Sequence, residues 1–307
     1  MKKHKMPCKK FYRQRAHCNP LSDSYIKYPV NYRYVNWHLH YPHYFPDPEG
    51  PAEKMDGEKK KEMTRGQKGQ INQQIADQDG EQNNIQRSDE INEGTKPLNN
   101  LYLNTNIYPI TYEKILLPSQ VNTHDIAILD VGCGYGGLLF ALSSTFNNKL
   151  ILGLEIRDKV TNYVGEKINS YRKNYFPNYN NISVIRTNAM KFLPNYIKKN
   201  QIEKIFFCFP DPHFKKQNWR RRIITIENLS LYHHLLQKNG MIYFITDVFT
   251  LYLWTKLCFS KYPYFKLLST EEYKNDICIK LIHQSSEESK RVKKNNQTMY
   301  FLVAKKI

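Results

Sequence analysis

The stretch that most constrains this chain is Ile128-Leu129-Asp130-Val131-Gly132-Cys133-Gly134-Tyr135-Gly136-Gly137. A short apolar run ends in an acid, glycines follow at alternate positions, and Leu138-Leu139-Phe140-Ala141-Leu142 opens a helical pattern. Strand, tight turn and helix start are the reading, and glycines in such a turn let backbone approach a ligand without a Cβ in the way. A second apolar run, Leu150-Ile151-Leu152-Gly153-Leu154, ends in Glu155, 25 residues beyond Asp130. Nucleotide-binding α/β folds carry an acid there that accepts ribose hydroxyls. A dinucleotide and S-adenosylmethionine satisfy this pattern equally.

Downstream, strand and helix patterns alternate. Helices are expected over Arg157–Tyr171, Met190–Lys199, Trp219–Lys238 (stopped by Asn239-Gly240) and Phe249–Phe259. The last of these should bury Phe249, Leu253, Leu257 and Trp254. Strands are expected over 181–186, 204–209 and 241–247, with 265–268 and 298–304 closing the sheet as a paired hairpin. Such alternation implies an α/β fold with a doubly wound, mostly parallel sheet, whose ligands bind outside the carboxyl ends of the strands. Gly132, Glu155, Asn188, Asp211 and Asp247 all fall at such ends.

The 307 residues carry a formal charge of +18, so an anionic partner is expected, most simply nucleic acid. The charge is uneven. Residues 1–48 interleave Lys9, Lys10, Arg13 and Arg15 with Phe11, Tyr12, Tyr25, Tyr28, Tyr32, Tyr34, Trp37 and Tyr41. That composition suits phosphate contact with base stacking, and equally an arm that packs its rings on the main domain. Residues 49–97 contain no Phe, Trp, Tyr or Cys, and eight basic against eleven acidic side chains, which leaves +21 for the rest. With so little to bury, this insert is expected to be disordered. Residues 98–307 then form the main domain. The six cysteines form no C-x-x-C pair, so neither a zinc site nor a disulfide framework is indicated. No apolar run reaches membrane-spanning length, and a soluble intracellular protein is expected.

A second informative stretch is Pro210-Asp211-Pro212-His213-Phe214-Lys215-Lys216-Gln217-Asn218-Trp219-Arg220-Arg221-Arg222. Two prolines fix the backbone around a carboxylate at the mouth of the sheet. Five cations in the eight residues 215–222 suit a polyanion.

With these marks in place the chain resembles a known family, the catalytic subunits of eukaryotic tRNA (guanine-N7-)-methyltransferases, within the class I S-adenosylmethionine-dependent methyltransferases. The resemblance rests on the two stretches above together with Arg13-Gln14-Arg15-Ala16-His17-x-Asn19-Pro20, Leu152-Gly153-Leu154-Glu155-Ile156-Arg157, Asn188-Ala189-Met190 and Ser286-Glu287-Glu288. It covers 9–48 and 98–307 and implies a Rossmann-like sheet, S-adenosylmethionine as cofactor and methylation of a variable-loop guanosine in tRNA at N7. It carries cofactor contacts onto Gly132, Glu155, Arg157, Asn188, Ala189, the backbone at Cys208, Ser286 and Glu288, and the active-site aspartate onto Asp211. Ser286 stands where relatives usually have Thr. The resemblance further implies a heterodimer with a WD-repeat β-propeller subunit and a location in the nucleus or also in the cytoplasm, while the cysteine spacing and the apolar runs lead us to expect no resident metal and no membrane association. It is silent on the insert.

Overall fold

The strands alternate in which face they bury. Leu150, Leu152 and Leu154 join one apolar cluster and Ile151 the other, as do Ile242 and Phe244 against Tyr243 and Ile245. A sheet covered on both faces forces this division. The computed structural model describes residues 3–15, 19–20, 26–45 and 124–307. The expected disordered insert at 49–97 lies outside them.

Among the described residues seven strands form one sheet: β1 (Ile126–Val131), β2 (Leu150–Glu155), β3 (Ile182–Arg186), β4 (Ile202–Cys208), β5 (Leu236–Thr246), β6 (Phe265–Leu267) and β7 (Tyr300–Lys306). Their spatial order is β3-β2-β1-β4-β5-β7-β6, parallel from β3 through β5 and antiparallel at β7 and β6. The helices, in chain order, are α1 (Trp37–His40), α2 (Gly137–Thr145), α3 (Asp158–Asn174), α4 (Ala189–Tyr196), α5 (Ile226–Leu235), α6 (Phe249–Lys261), α7 (Thr270–Tyr273), α8 (Ile277–Ser285) and α9 (Glu287–Lys294). Side chains of α2, α3 and α8 cover one face, and those of α4, α5 and α6 the other. This is the doubly wound α/β sheet expected.

Several details differ from the sequence reading. β6 and β7 do pair antiparallel, but α7, α8 and α9 separate them, so they are no hairpin. Helix α5 is shorter than Trp219–Lys238. It starts at Ile226 because the Thr225 hydroxyl accepts the Asn228 N–H at 3.2 Å, and a 3-10 turn over Lys216–Arg221 precedes it. Asn239-Gly240 stops no helix; it lies inside β5 beside a register irregularity, with Asn239 at φ 63°. A Cβ on Gly240 would stand 2.9 Å from the Gln237 carbonyl, so only glycine fits. Finally, α6 is rotated. Leu251, Thr255, Cys258 and Phe259 face the sheet, while Phe249, Leu253 and Leu257 are exposed and Trp254 is half-buried. The inner face thus mixes the large Leu251 and Phe259 with the small Thr255 and Cys258.

Residues 26–45 pack as the arm reading allowed. Val35, Trp37, Tyr41 and Phe45 are buried in the α4–α6 face, and the Tyr41 hydroxyl donates to the Ile151 carbonyl at 2.9 Å. His40 bonds Ser183 Oγ through Nδ1 at 2.8 Å, and Arg172 donates to the carbonyls of His40 and Ile182, both at 2.6 Å. Burial first, and the Arg172 charge second, pull the His40 pKa down to about 3, so its ring is neutral.

Lys306 ties β7 to the end of α5. Its buried Nζ donates to Asn200 Oδ1 (2.8 Å) and to the His233 and Leu236 carbonyls (2.7 Å each). Lys306→Met keeps the length but leaves those acceptors short of a donor, and is expected to lower stability by about 1–3 kcal/mol. Urea denaturation measures this, and an unchanged midpoint would show that water replaces the ammonium.

Candidate active site

β1 delivers Asp130 to the sheet's carboxyl edge, and the turn that follows runs through Gly132, Gly134 and Gly136, all at positive φ (75°, 54° and 81°). Only glycine adopts that sequence of conformations without strain. Gly132 is exposed, and a Cβ built on it meets nothing within 4 Å, so the turn faces open space. At the end of β2, Glu155 is buried and serves as the hub. Its Oε2 accepts Gly134 N (3.1 Å) and Arg157 Nη2 (2.9 Å). Its Oε1 accepts Ile156 N (2.8 Å), Arg157 N (3.0 Å) and Arg157 Nε (3.1 Å). The acid thus fixes the glycine turn, and the Arg157 guanidinium closes over it.

Beneath the turn, Asp130 is 2% exposed and its Oδ2 has no hydrogen-bond partner among the described residues. Burial, then the Glu155 charge, raises its pKa to about 7. The same burial pushes the neighbouring Cys133 and Cys208 thiols well above their ordinary value. In the sequence Asp130 is only the strand's last acid. Its desolvation is a property of the packed sheet that no spacing encodes.

Asn188, after β3, is the N-cap of α4. Its Oδ1 accepts Met190 N at 3.0 Å and its Nδ2 donates to the Pro20 carbonyl, so this side chain anchors the arm. Ala189 begins α4, buried beside it. Ser286 is brought to the glycine turn by the α8–α9 junction: a Cβ on Gly137 would lie 2.4 Å from the Ser285 carbonyl. The Ser286 hydroxyl caps α9 by accepting Ser289 N at 3.4 Å. Glu288, on the first turn of α9, pairs with Arg291 at 2.7 Å. Residues 3–15 lie along α3 toward this rim, through Tyr12 to Glu166 (2.6 Å), Gln14 to the Lys159 N–H (2.9 Å) and Lys9 to Glu287.

Cys208 ends β4, and Asp211 follows it in the loop, with Phe209 and His213 at positive φ (51° and 44°). Asp211 Oδ1 accepts His213 N at 3.2 Å, and its carboxylate stays partly exposed. Of the cations that follow, Lys215, Lys216 and Arg220 are exposed and Arg221 is partly so. Arg222 is not: it is buried against Trp219 and Trp254, contrary to its place in an expected phosphate-binding run. A surface hollow lined by Met241, Lys266, Glu272 and Lys305 opens toward the amino end of β5 and holds none of these residues.

The site therefore collects a glycine turn, the Glu155 hub, a buried carboxyl with one oxygen unpaired among the described residues, and a proline-flanked aspartate at one edge of the sheet. A family model described as a putative methyltransferase matches residues 124–302, more than half of the chain. A tRNA (guanine-N(7)-)-methyltransferase of Zea mays is 37% identical over 303 residues, 99% of this chain and 94% of the relative. The Kluyveromyces lactis enzyme of the same name is 37% identical over 297 residues, 96% and 82% of the two chains. The Dictyostelium discoideum enzyme is 45% identical over 208 residues, 68% and 75% of them. The chain belongs to the tRNA (guanine-N7-)-methyltransferase family. Members of this family need a site for a cationic methyl donor. An open glycine turn above the buried Asp130 fits one, because a cation would supply the partner that Oδ2 lacks among the described residues. Among the described residues no group of His, Cys, Asp and Glu is arranged to hold a metal ion, and no helix is long and apolar enough to cross a membrane.

Proposed function

We propose that this chain, a tRNA guanine-N7 methyltransferase using S-adenosylmethionine, acts on a variable-loop guanosine and works with a WD-repeat β-propeller subunit in the nucleus. The observation that carries the reading of the site is Asp211 at the end of β4, fixed to the His213 N–H and followed by exposed cations, on the same sheet edge as the glycine turn.

When bound, the cofactor supplies an electrophilic methyl group on a sulfonium. Gly132, Glu155, Arg157, Asn188, Ala189, Cys208, Ser286 and Glu288 are the residues proposed to hold it. Glu155 already accepts five hydrogen bonds, so ribose hydroxyls can reach it only in exchange for guanidinium bonds from Arg157. Guanine N7 has a lone pair and no proton at neutral pH, so no strong base is required. The chain's task is to place the base, exclude water and favour the positive charge that the ring acquires. Asp211 does the last and accepts from the guanine N1–H and exocyclic amine. Lys215, Lys216 and Arg220, with the basic arm, hold phosphates.

The test incubates the purified chain with labelled S-adenosylmethionine and total tRNA, identifies the labelled nucleoside and maps it by cleavage at 7-methylguanosine. Label confined to a variable-loop 7-methylguanosine is expected. Label in another nucleoside or another loop overturns the assignment, and full activity without any added subunit counts against the partner.

A further inference from the structure

Arg222 stands apart from the cations around it. It is 5% exposed, and its guanidinium carbon lies 4.7 Å from the ring centre of Trp219 and 4.8 Å from that of Trp254. An arginine can be buried this way because its flat, weakly hydrated cation packs on aromatic faces. The two indoles are themselves anchored: Trp254 Nε1 donates to the Ile224 carbonyl at 2.8 Å, and Trp219 Nε1 to the Phe214 carbonyl at 3.4 Å.

From that seat, Arg222 Nε donates to the Pro212 carbonyl at 2.9 Å. The same peptide group carries the His213 N–H, which donates to Asp211 Oδ1 at 3.2 Å. One peptide unit therefore links a buried cation to the aspartate. Withdrawing charge from its carbonyl makes its N–H a stronger donor, and bonds in such chains reinforce one another. His213 sits at φ 44°, where a side-chain-bearing residue is not at rest, so this peptide orientation has to be held from outside.

We infer that Arg222 is a positioning residue for methyl transfer: through the Pro212–His213 peptide it fixes the orientation of the Asp211 carboxylate, rather than binding tRNA phosphate. The inference rests on the proposed role of Asp211. It also explains why a cation in the basic run is turned inward beside two tryptophans.

Arg222→Lys and Arg222→Gln, Asp211→Asn and the two double variants test it by single-turnover methyl transfer at saturating tRNA and cofactor. Cofactor and tRNA affinities and thermal unfolding are measured alongside. Arg222→Lys keeps a charge but neither the planar stack nor the Nε donor. It is expected to slow the chemical step about 10–100-fold, the scale of a small misplacement of a reacting group. Its tRNA affinity and the salt dependence of that affinity should hold. Each double variant should be no slower than Asp211→Asn alone, because both changes then act on one carboxylate. A lowered melting temperature with a normal rate at saturation would make Arg222 structural only. Weaker tRNA binding with a shallower salt dependence would make it a phosphate contact. Either result, or additive losses in the double variants, overturns the inference. A slow Asp211→Asn with a normal Arg222→Lys overturns the inference alone, whereas a normal Asp211→Asn removes the reading beneath it.

Discussion

Asp211→Asn is expected to slow methyl transfer by about 10²–10³-fold, the size of effect seen when one preorganised electrostatic group is removed. The substitution keeps the size and one acceptor oxygen. The bond from the His213 N–H can survive on that oxygen, so the loop should stay in place. What disappears is the negative charge proposed to favour a guanine ring becoming cationic. With phosphate contact assigned by the proposal to exposed Lys215, Lys216 and Arg220, tRNA affinity should hold or rise slightly once a negative charge near a polyanion is deleted. Single-turnover kinetics with both ligands saturating separate chemistry from binding and release. A near-normal rate under those conditions would leave Asp211 as a residue of the turn and nothing more.

The sheet was legible in the sequence because its central strands carry short apolar runs, residues 126–129 before Asp130, 150–154 before Glu155 and 205–207 before Cys208. The glycine turn was legible because three alternate positive-φ positions admit little else. What escaped was orientation. A stripe of Phe249, Leu253 and Leu257 has helical spacing, but spacing cannot say which neighbours a helix meets, and the smaller Thr255 and Cys258 took the inner face of α6. Asn239-Gly240 has the chemistry of a helix stop, yet Thr225 and Lys306 set the two ends of α5 earlier, and the pair serves an irregularity in β5. Arg222 is indistinguishable by type from Arg220 and Arg221. Its burial depends on Trp254, more than thirty residues away, which no local pattern reveals. The family resemblance implies a cofactor contact at Asn188, whereas the structure shows its side chain holding the arm at Pro20 and capping α4.

Asp130→Asn is expected to raise the stability of the ligand-free chain and to weaken cofactor binding. The sign follows from where each state holds its proton. In the folded chain burial raises the carboxyl from an ordinary 3.8 to about 7, while the unfolded chain releases the proton near the ordinary value. Between those values the folded state binds more protons, so this group's contribution to stability falls as pH rises from about 4 to about 7, and is constant on either side. At pH 8 the ionised, buried carboxylate costs on the order of 4 kcal/mol, the free-energy equivalent of that pKa difference. A neutral asparagine side chain removes the cost, so a gain of a few kcal/mol at pH 8 and little at pH 4 is expected from urea denaturation. Subtracting parent from variant cancels other groups that titrate in the window, among them His40, whose lowered pKa acts in the opposite sense. Cofactor binding should show the converse. A cationic ligand favours the ionised carboxylate, so affinity for S-adenosylmethionine in the parent should climb with pH up to about 7 and then level off. In Asp130→Asn it should be about 10–100-fold weaker, the worth of a charged hydrogen bond, with that pH dependence gone. Calorimetric titrations at pH 6 and 8 decide the matter: equal affinities in parent and variant, with the same pH slope, would show that the orphaned oxygen beneath the glycine turn answers to something other than the methyl donor.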